Sequence, residues 1–300
     1  MNNTKSSIAV IGAGKWGQAL HFALSQNQET LITSRTPRDI KNFTDLQTAL
    51  NCEYLVIAIP AQEIRLWLKN NFVNKNQKIL VASKGIEASS GEFLNEIYSE
   101  YVEDKNIAFI SGPSFAAEVI QGLPCALVLN SRSKKLYNEF KPFFPKFIKT
   151  YYSSDVIGAE VAGAYKNVLA IASGICEGLN LGKNAQASLI SRGLVEMHRF
   201  GKHFGAKKSS FLGLSGAGDL FLTASSTMSR NYRVGLGLAS NKSLEIILEE
   251  LGEVAEGVKT SEAIFNLSQE HNIYTPIANE VKLVLDGKDP VNSLKDLLTS

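Results

Sequence analysis

Six short runs of consecutive apolar, largely β-branched residues punctuate the first half of the chain, at residues 8–11, 30–33, 54–59, 79–82, 107–110 and 125–129. A strand with one wet face alternates apolar and polar residues, so a run that is apolar throughout belongs to a strand covered on both faces. Amphipathic stretches separate the runs, and strand and helix in alternation imply right-handed βαβ crossovers that lay the strands parallel. The pattern therefore predicts an α/β fold with an N-terminal, doubly wound parallel sheet. From about Asp155 the runs give way to Ala-, Leu- and Gly-rich helical stretches, beginning IGAEVAGAYKNVLAIASGICEGL. These predict a C-terminal all-helical domain. The expected division is residues 1–154 and residues 155–300.

With 44% hydrophobic and 20% charged residues in 300, the chain has enough apolar surface for two cores. Its 31 basic and 29 acidic side chains leave a net charge of +2. That balance suits neither nucleic acid nor an anionic membrane, so any anionic ligand must be held locally. Cys52, Cys125 and Cys176 are scattered and odd in number, which fits a reducing cytoplasm better than a disulfide framework or a thiolate metal site. The apolar run before Gly12 has only four residues, too few for a signal core or a membrane span. The expectation is a cytoplasmic protein without membrane insertion.

Gly12-Ala-Gly14-Lys15-Trp16-Gly17 directly follows the first run and opens an amphipathic segment. In that context the three glycines read as a dinucleotide turn: one for the tight bend, one for backbone approach to a pyrophosphate, one for close helix–strand packing. A helix starting there offers free N–H groups and a positive dipole end to phosphates. Residues 1–154 are accordingly expected to be a Rossmann-like dinucleotide-binding domain. At the end of the second run, where NAD-binding chains carry an acid for the ribose hydroxyls, stand Ser34 and Arg35. An arginine there suits a ribose 2′-phosphate, which favours NADP(H). The alternative leaves Arg35 in solvent and gives the ribose to Asp39 or Asp45.

Ligands of such sheets lie beyond the carboxyl ends of the strands. There the chain places Lys84, a cation able to reach over a cofactor, and Gly112 with Ser114, donors at the start of a helical stretch. Lys166 is unusual. Its helical neighbours Ala162, Gly163, Leu169 and Ala170 include no carboxylate, so the ammonium is poorly solvated unless the side chain snorkels. Desolvation would lower its pKa and make it a base near neutral pH. Asp219, at the end of Gly213-Leu-Ser-Gly-Ala-Gly218, could orient that lysine, and Arg230 could clamp a phosphate. The near-match to a nucleophile elbow at Ser215 lacks its fifth-position glycine. His198 and His203 do not share a helical face, and no metal site is expected.

In order along the chain, GAGKWG, ASKGIE, SGPSFAAE, GAYKNVLAIASGI, SRGLVEM, GLSGAGDLFLT, SRNYRVG and VAEGVKT resemble the bacterial glycerol-3-phosphate dehydrogenase family that uses NAD(P). The resemblance implies an oxidoreductase that interconverts sn-glycerol 3-phosphate and dihydroxyacetone phosphate and feeds glycerophospholipid synthesis. It implies NADP(H) and/or NAD(H) as cofactor, a phosphorylated small-molecule partner, a helical substrate-binding domain and a homodimer. Carried over by position, Lys166 is the proton acceptor. Lys84, Gly112, Ser114, Asp219, Ser229, Arg230 and Asn231 become substrate contacts. Gly12, Gly14, Lys15, Trp16, Gly17, Arg35, Lys84, Ala116, Arg230, Val254 and Glu256 become cofactor contacts. Two departures stand out: the loop between Arg35 and Asp45 is shorter than in the family, and Lys15 replaces a common serine.

Two other readings compete. One is a different two-domain dehydrogenase acting on a hydroxy acid, which should lack the arginine of the Ser229-Arg230-Asn231 motif. The other is a non-catalytic NADP-binding sensor, in which Lys166 and Asp219 would have no role.

Overall fold

The computed structural model describes residues 8–299. They form two compact units: the described residues up to Ser83 with Leu94–Val156, and Lys84–Phe93 with the residues from Ile157 onward. Lys84–Phe93 thus belongs with the later unit, apart from its neighbours in sequence.

In the first unit, seven strands make one sheet: β1 (Ile8–Ile11), β2 (Thr30–Thr33), β3 (Tyr54–Ile57), β4 (Lys78–Val81), β5 (Ile107–Ser111), β6 (Cys125–Asn130) and β7 (Ile148–Ser153). Their order is β2-β1-β3-β4-β5-β6-β7. Val10 of β1 is in register with Ile32 on one side and Val56 on the other, so strand order reverses at β1. Just outside the carboxyl end of a strand at such a reversal is where doubly wound sheets bind ligands.

Both faces are covered. Ile8, Val10, Ile32, Val56, Leu80 and Leu127 enter one core, while Ala9, Ile11, Leu55, Ile57, Ile79 and Val81 enter another. That two-sided burial is why the strand sequences are continuously apolar.

The expectation of an all-parallel sheet is corrected at one place: β5 and β6 are antiparallel, with Ile110 paired to Leu129. Only the short helix Ala116–Ile120 separates them, too little ordered chain to carry β6 back to the starting end of β5. β7 is a further strand that the apolar runs do not reveal. It buries Ile148 and Thr150 but exposes Lys149 and Tyr151, the alternation of a half-wet edge strand.

The second unit is helical, and its central element is the helix Val156–Gly178. Residues Val161, Tyr165, Val168, Leu169 and Ile171 of this helix are all but fully buried, in one core with Met197, Phe200, Phe211, Leu220, Val234, Ile264 and Ile277. A helix apolar on every side is a core helix. The segment Lys84–Phe93 folds on itself through an antiparallel bridge between Ile86 and Phe93, both buried in that same helical core. This anchor carries Lys84 into the helical unit.

The helix Arg230–Ala239 lies hard against Val156–Gly178. A Cβ added at Gly235 would come within 2.1 Å of the Ile171 carbonyl oxygen, and one at Gly174 within 2.1 Å of the Tyr232 carbonyl oxygen. Gly235→Ala is therefore expected to force the helices apart and cost about 1–3 kcal/mol, as overpacking does. Thermal denaturation checks this, and an unchanged midpoint would mean the crossing can open to admit a methyl group. Among the described residues no helix is long and apolar enough to cross a membrane.

Candidate active site

The glycine-rich turn leaves the carboxyl end of β1, at the strand-order reversal. Gly12 has φ +108°, and a Cβ there would stand 2.4 Å from the Ala58 carbonyl oxygen of the chain leaving β3. A Cβ at Gly17 would stand 1.8 Å from the carbonyl oxygen of Gly12. These two glycines are demanded by the fold itself. Gly14 is different, because a Cβ there would meet no protein atom within 4 Å. It is the N-cap of the helix Lys15–Leu24 and supplies no side-chain cap. A bare, exposed helix start beside a tight turn fits a dinucleotide diphosphate. Lys15 is exposed in the first helical turn, and Trp16 packs partly against the sheet's core.

Arg35 follows β2, is exposed, and has no ion-pair partner among the described residues. Asp45, one of the acids considered for the ribose, is committed elsewhere. It caps the helix Leu46–Ala49, accepting hydrogen bonds from the Thr48 backbone N–H at 2.9 Å and the Thr48 hydroxyl at 2.6 Å. The Thr48 hydroxyl is the main cause of its lowered carboxyl pKa. The short loop between Arg35 and Asp45 closes back on β2, where the Ile32 N–H donates to Asn42 and the Ile32 carbonyl accepts from Thr44.

Replacing Arg35 with serine is expected to weaken NADPH by about ten- to a hundredfold, the worth of a charged hydrogen bond, and to leave NADH nearly unchanged. Side-by-side KM values for the two coenzymes check it. Equal losses for both would move Arg35 away from the 2′-phosphate.

At the end of β5, Gly112 adopts φ +111°. Ser114 is not the cap of the helix beginning at Ala116; that position is Phe115, which makes no side-chain cap. The Ser114 hydroxyl instead donates to the Gly112 carbonyl at 3.1 Å.

The helical unit gathers Lys84, Lys166 and Asp219 into one cluster. Lys166 Nζ donates to Asp219 Oδ1 at 2.5 Å, and Lys84 Nζ donates to Asp219 Oδ2 at 2.8 Å. Lys166 and Asp219 are 8% and 2% exposed, so the lysine does not snorkel to solvent. Thr223, missed in the sequence reading, completes the cluster. Its hydroxyl oxygen accepts from Lys166 Nζ at 3.2 Å and lies 3.4 Å from Asp219 Oδ1. One helical turn separates Thr223 from Asp219 on the helix Asp219–Ala224, and that four-residue spacing was the available signal.

Burial opposes the charged form of Lys166 and brings its pKa down to about 8; Asp219 pulls it back up, and Lys84 pushes it lower. Burial would raise the Asp219 carboxyl, but the ammonium groups of Lys166 and Lys84 outweigh it and hold the pKa below its usual value. The outcome is one carboxylate shared by two lysines, one of them able to exchange a proton near neutral pH.

The Ser229-Arg230-Asn231 motif starts the helix Arg230–Ala239. Ser229 caps it by accepting from the Tyr232 N–H. Asn231 Oδ1 accepts from the Gly257 N–H at 3.0 Å, tying this turn to the start of the helix Glu256–Glu270. A Cβ at Gly257 would meet both Asn231 Oδ1 and the carbonyl oxygen of Asn167, the residue after Lys166. That contact brings the motif beside the lysine helix. Arg230 is half-exposed and faces Glu253, and Val254 is exposed. No group of three or more His, Cys, Asp or Glu side chains among the described residues is arranged to hold a metal ion.

A doubly wound sheet with a glycine-rich turn at its strand-order reversal, joined in sequence to a helical unit holding a buried lysine–aspartate pair, defines a nicotinamide-dependent dehydrogenase. Two family models match the chain: the NAD-dependent glycerol-3-phosphate dehydrogenase N-terminus over residues 23–137, and the C-terminus of the same family over residues 155–296. The chain belongs to the NAD-dependent glycerol-3-phosphate dehydrogenase family. It is 65% identical to the glycerol-3-phosphate dehydrogenase (NAD(P)+) of Sulfurimonas denitrificans, over 98% of this chain and 100% of that one. With the enzyme of the same name from Campylobacter lari it shares 60% identity, over 98% of each chain. The crystal structure of glycerol-3-phosphate dehydrogenase from Coxiella burnetii superposes with a TM-score of 0.89 at 31% identity, covering 98% of both chains.

Proposed function

We propose that this chain interconverts sn-glycerol 3-phosphate and dihydroxyacetone phosphate with NADP(H) or NAD(H). The single observation that carries the chemistry is the buried Lys166–Asp219 pair with Lys84 on the second carboxylate oxygen. When bound, the nicotinamide supplies the hydride acceptor or donor.

Lys166, as free amine, takes the proton of the carbon-2 hydroxyl as that carbon is oxidised, and returns it to the carbonyl oxygen in reduction. Asp219 fixes the direction of the amine, and Thr223 takes up a second of its donors. Lys84 stands beside the centre on the second oxygen of Asp219, a donor near where negative charge develops on the substrate oxygen during reduction. Gly12, Gly14 and Gly17 shape the diphosphate cradle, with Lys15, Trp16 and Ala116 beside the bound dinucleotide and Arg35 on its ribose. Gly112, Ser114, Ser229, Arg230 and Asn231 hold the substrate, Arg230 through its phosphate. Val254 and Glu256 complete the cofactor contacts. The three scattered cysteines, Cys52, Cys125 and Cys176, suit a reducing cytoplasm, and we take the working form to be a homodimer.

The deciding test is oxidation of NADPH and NADH by purified protein with dihydroxyacetone phosphate. Rapid loss of reduced-nicotinamide absorbance is expected, and no loss with either coenzyme would favour the sensor reading.

The pH dependence follows from the lysine. Oxidation needs the free amine, so its kcat/KM should rise with pH through about 8. Reduction needs the ammonium, so its kcat/KM should fall over the same range. Profiles that are flat between pH 7 and 9 in both directions would count against Lys166 as the titrating group.

A further inference from the structure

Glu253 approaches Arg230 through one contact, Arg230 Nη1 to Glu253 Oε2 at 3.4 Å, with the two side chains 43% and 28% exposed. A guanidinium has five N–H donors in a rigid fork, and here a single long contact engages one of them. The pair is not what joins the two segments. Their spacing is already set next door by the buried hydrogen bond from the Gly257 N–H to Asn231 Oδ1 at 3.0 Å. Arg230 also stands in the first turn of its helix, where the macrodipole disfavours a cation and a nearby anion is stabilising.

We infer that Glu253 is an internal competitor for a phosphate: its carboxylate parks the Arg230 guanidinium, and a bound phosphate-type anion must displace it. The inference rests on the reading of Arg230 as an anion-binding residue. A carboxylate offers two oxygens and one charge, whereas a phosphate ester or diphosphate offers more acceptors and more charge to the same fork. An exposed pair of this kind is worth little, so it holds the arginine in place without excluding the ligand. Glu253 thereby sets how tightly the site holds its anion, without touching the reaction centre at Lys166.

The test is steady-state kinetics of Glu253→Gln, Arg230→Ala and the double variant at low and high salt. Glu253→Gln is expected to lower the KM of the phosphorylated ligand by about two- to fivefold with kcat unchanged, the range set by an exposed ion pair. The gain should shrink with added salt as the charges are screened. A fall in the KM for dihydroxyacetone phosphate identifies the anion as the substrate phosphate, and a fall in the KM for the coenzyme identifies the diphosphate. In the Arg230→Ala background, removing Glu253 should change neither.

Three results overturn the inference, and they are distinguishable. An unchanged KM in Glu253→Gln, with a raised KM in Arg230→Ala, leaves Arg230 as the anion ligand and removes the competition. An equal gain in the presence and absence of Arg230 reduces Glu253 to a general field effect. No effect of Arg230→Ala on either KM refutes the reading of Arg230 itself.

Discussion

Lys166→Ala is expected to lower turnover by about 10²- to 10⁴-fold, the usual contribution of a positioned general base. The fold should survive. Asp219 keeps its ion pair with Lys84, so no buried carboxylate is left alone, and alanine suits a core helix. Coenzyme affinity should be close to normal, because the glycine-rich turn at Gly12–Gly17, proposed here to hold the coenzyme diphosphate, belongs to the other unit. Lys166→Arg separates charge from basicity. A guanidinium can keep the contact with Asp219 but stays protonated at every accessible pH, so this variant should also be slow. Turnover numbers with coenzyme titrations on the same preparations decide the matter. A kcat within a few-fold of the parent in Lys166→Ala would remove the lysine from the chemistry.

Asp219→Asn should damage both stability and catalysis. The carboxylate is buried and shared, so its loss leaves two ammonium groups facing a neutral amide. Breaking a buried ion pair at one partner commonly costs about 3–5 kcal/mol. Lys166 can limit that cost by releasing its proton, since its pKa already stands at about 8 and Asp219 is what holds it up.

The sign of the pH effect follows from proton binding. A lysine whose folded pKa lies below its ordinary 10.5 binds protons more readily in the unfolded chain, so stability rises with pH between the two values. In the variant the folded pKa is lower still and that window reaches further down. Its stability deficit against the parent should therefore be larger at pH 7 than at pH 9. Reduction of dihydroxyacetone phosphate should slow at neutral pH, about tenfold for each unit by which the lysine pKa falls below the assay pH. Thermal melts at the two pH values and reductive kinetics at pH 7 test both parts. A variant as stable as the parent at pH 7 would mean that Asp219 does not hold the lysines' charge.

Much of this could be read from the chain. Five of the six apolar runs mark parallel strands of the sheet, and the sixth is β6, whose direction the run does not encode. β7 was not legible, because an edge strand with Lys149 and Tyr151 exposed lacks the continuous burial that marks the others. The glycine-rich turn was legible because Gly12 and Gly17 are forced by backbone contacts within one βαβ unit. The role of Asp45 could have been found, since an aspartate three residues before a threonine at a helix start is a capping pattern. Lys166 was marked as odd by its apolar helical neighbours, but its partners were only candidates.

The sequence by itself determined what depends on local spacing: strands covered on both faces, a tight glycine-rich turn at β1, a helical second half, and a lysine on an apolar helix. The tertiary structure decided what depends on meetings between distant segments. Asp219 is 53 residues from Lys166 and 135 from Lys84. No periodicity reaches across such separations. Packing does, because the bridge that buries Ile86 and Phe93 in the helical core carries Lys84 with it, and the core helix around Lys166 can bury its ammonium only where a carboxylate arrives to meet it.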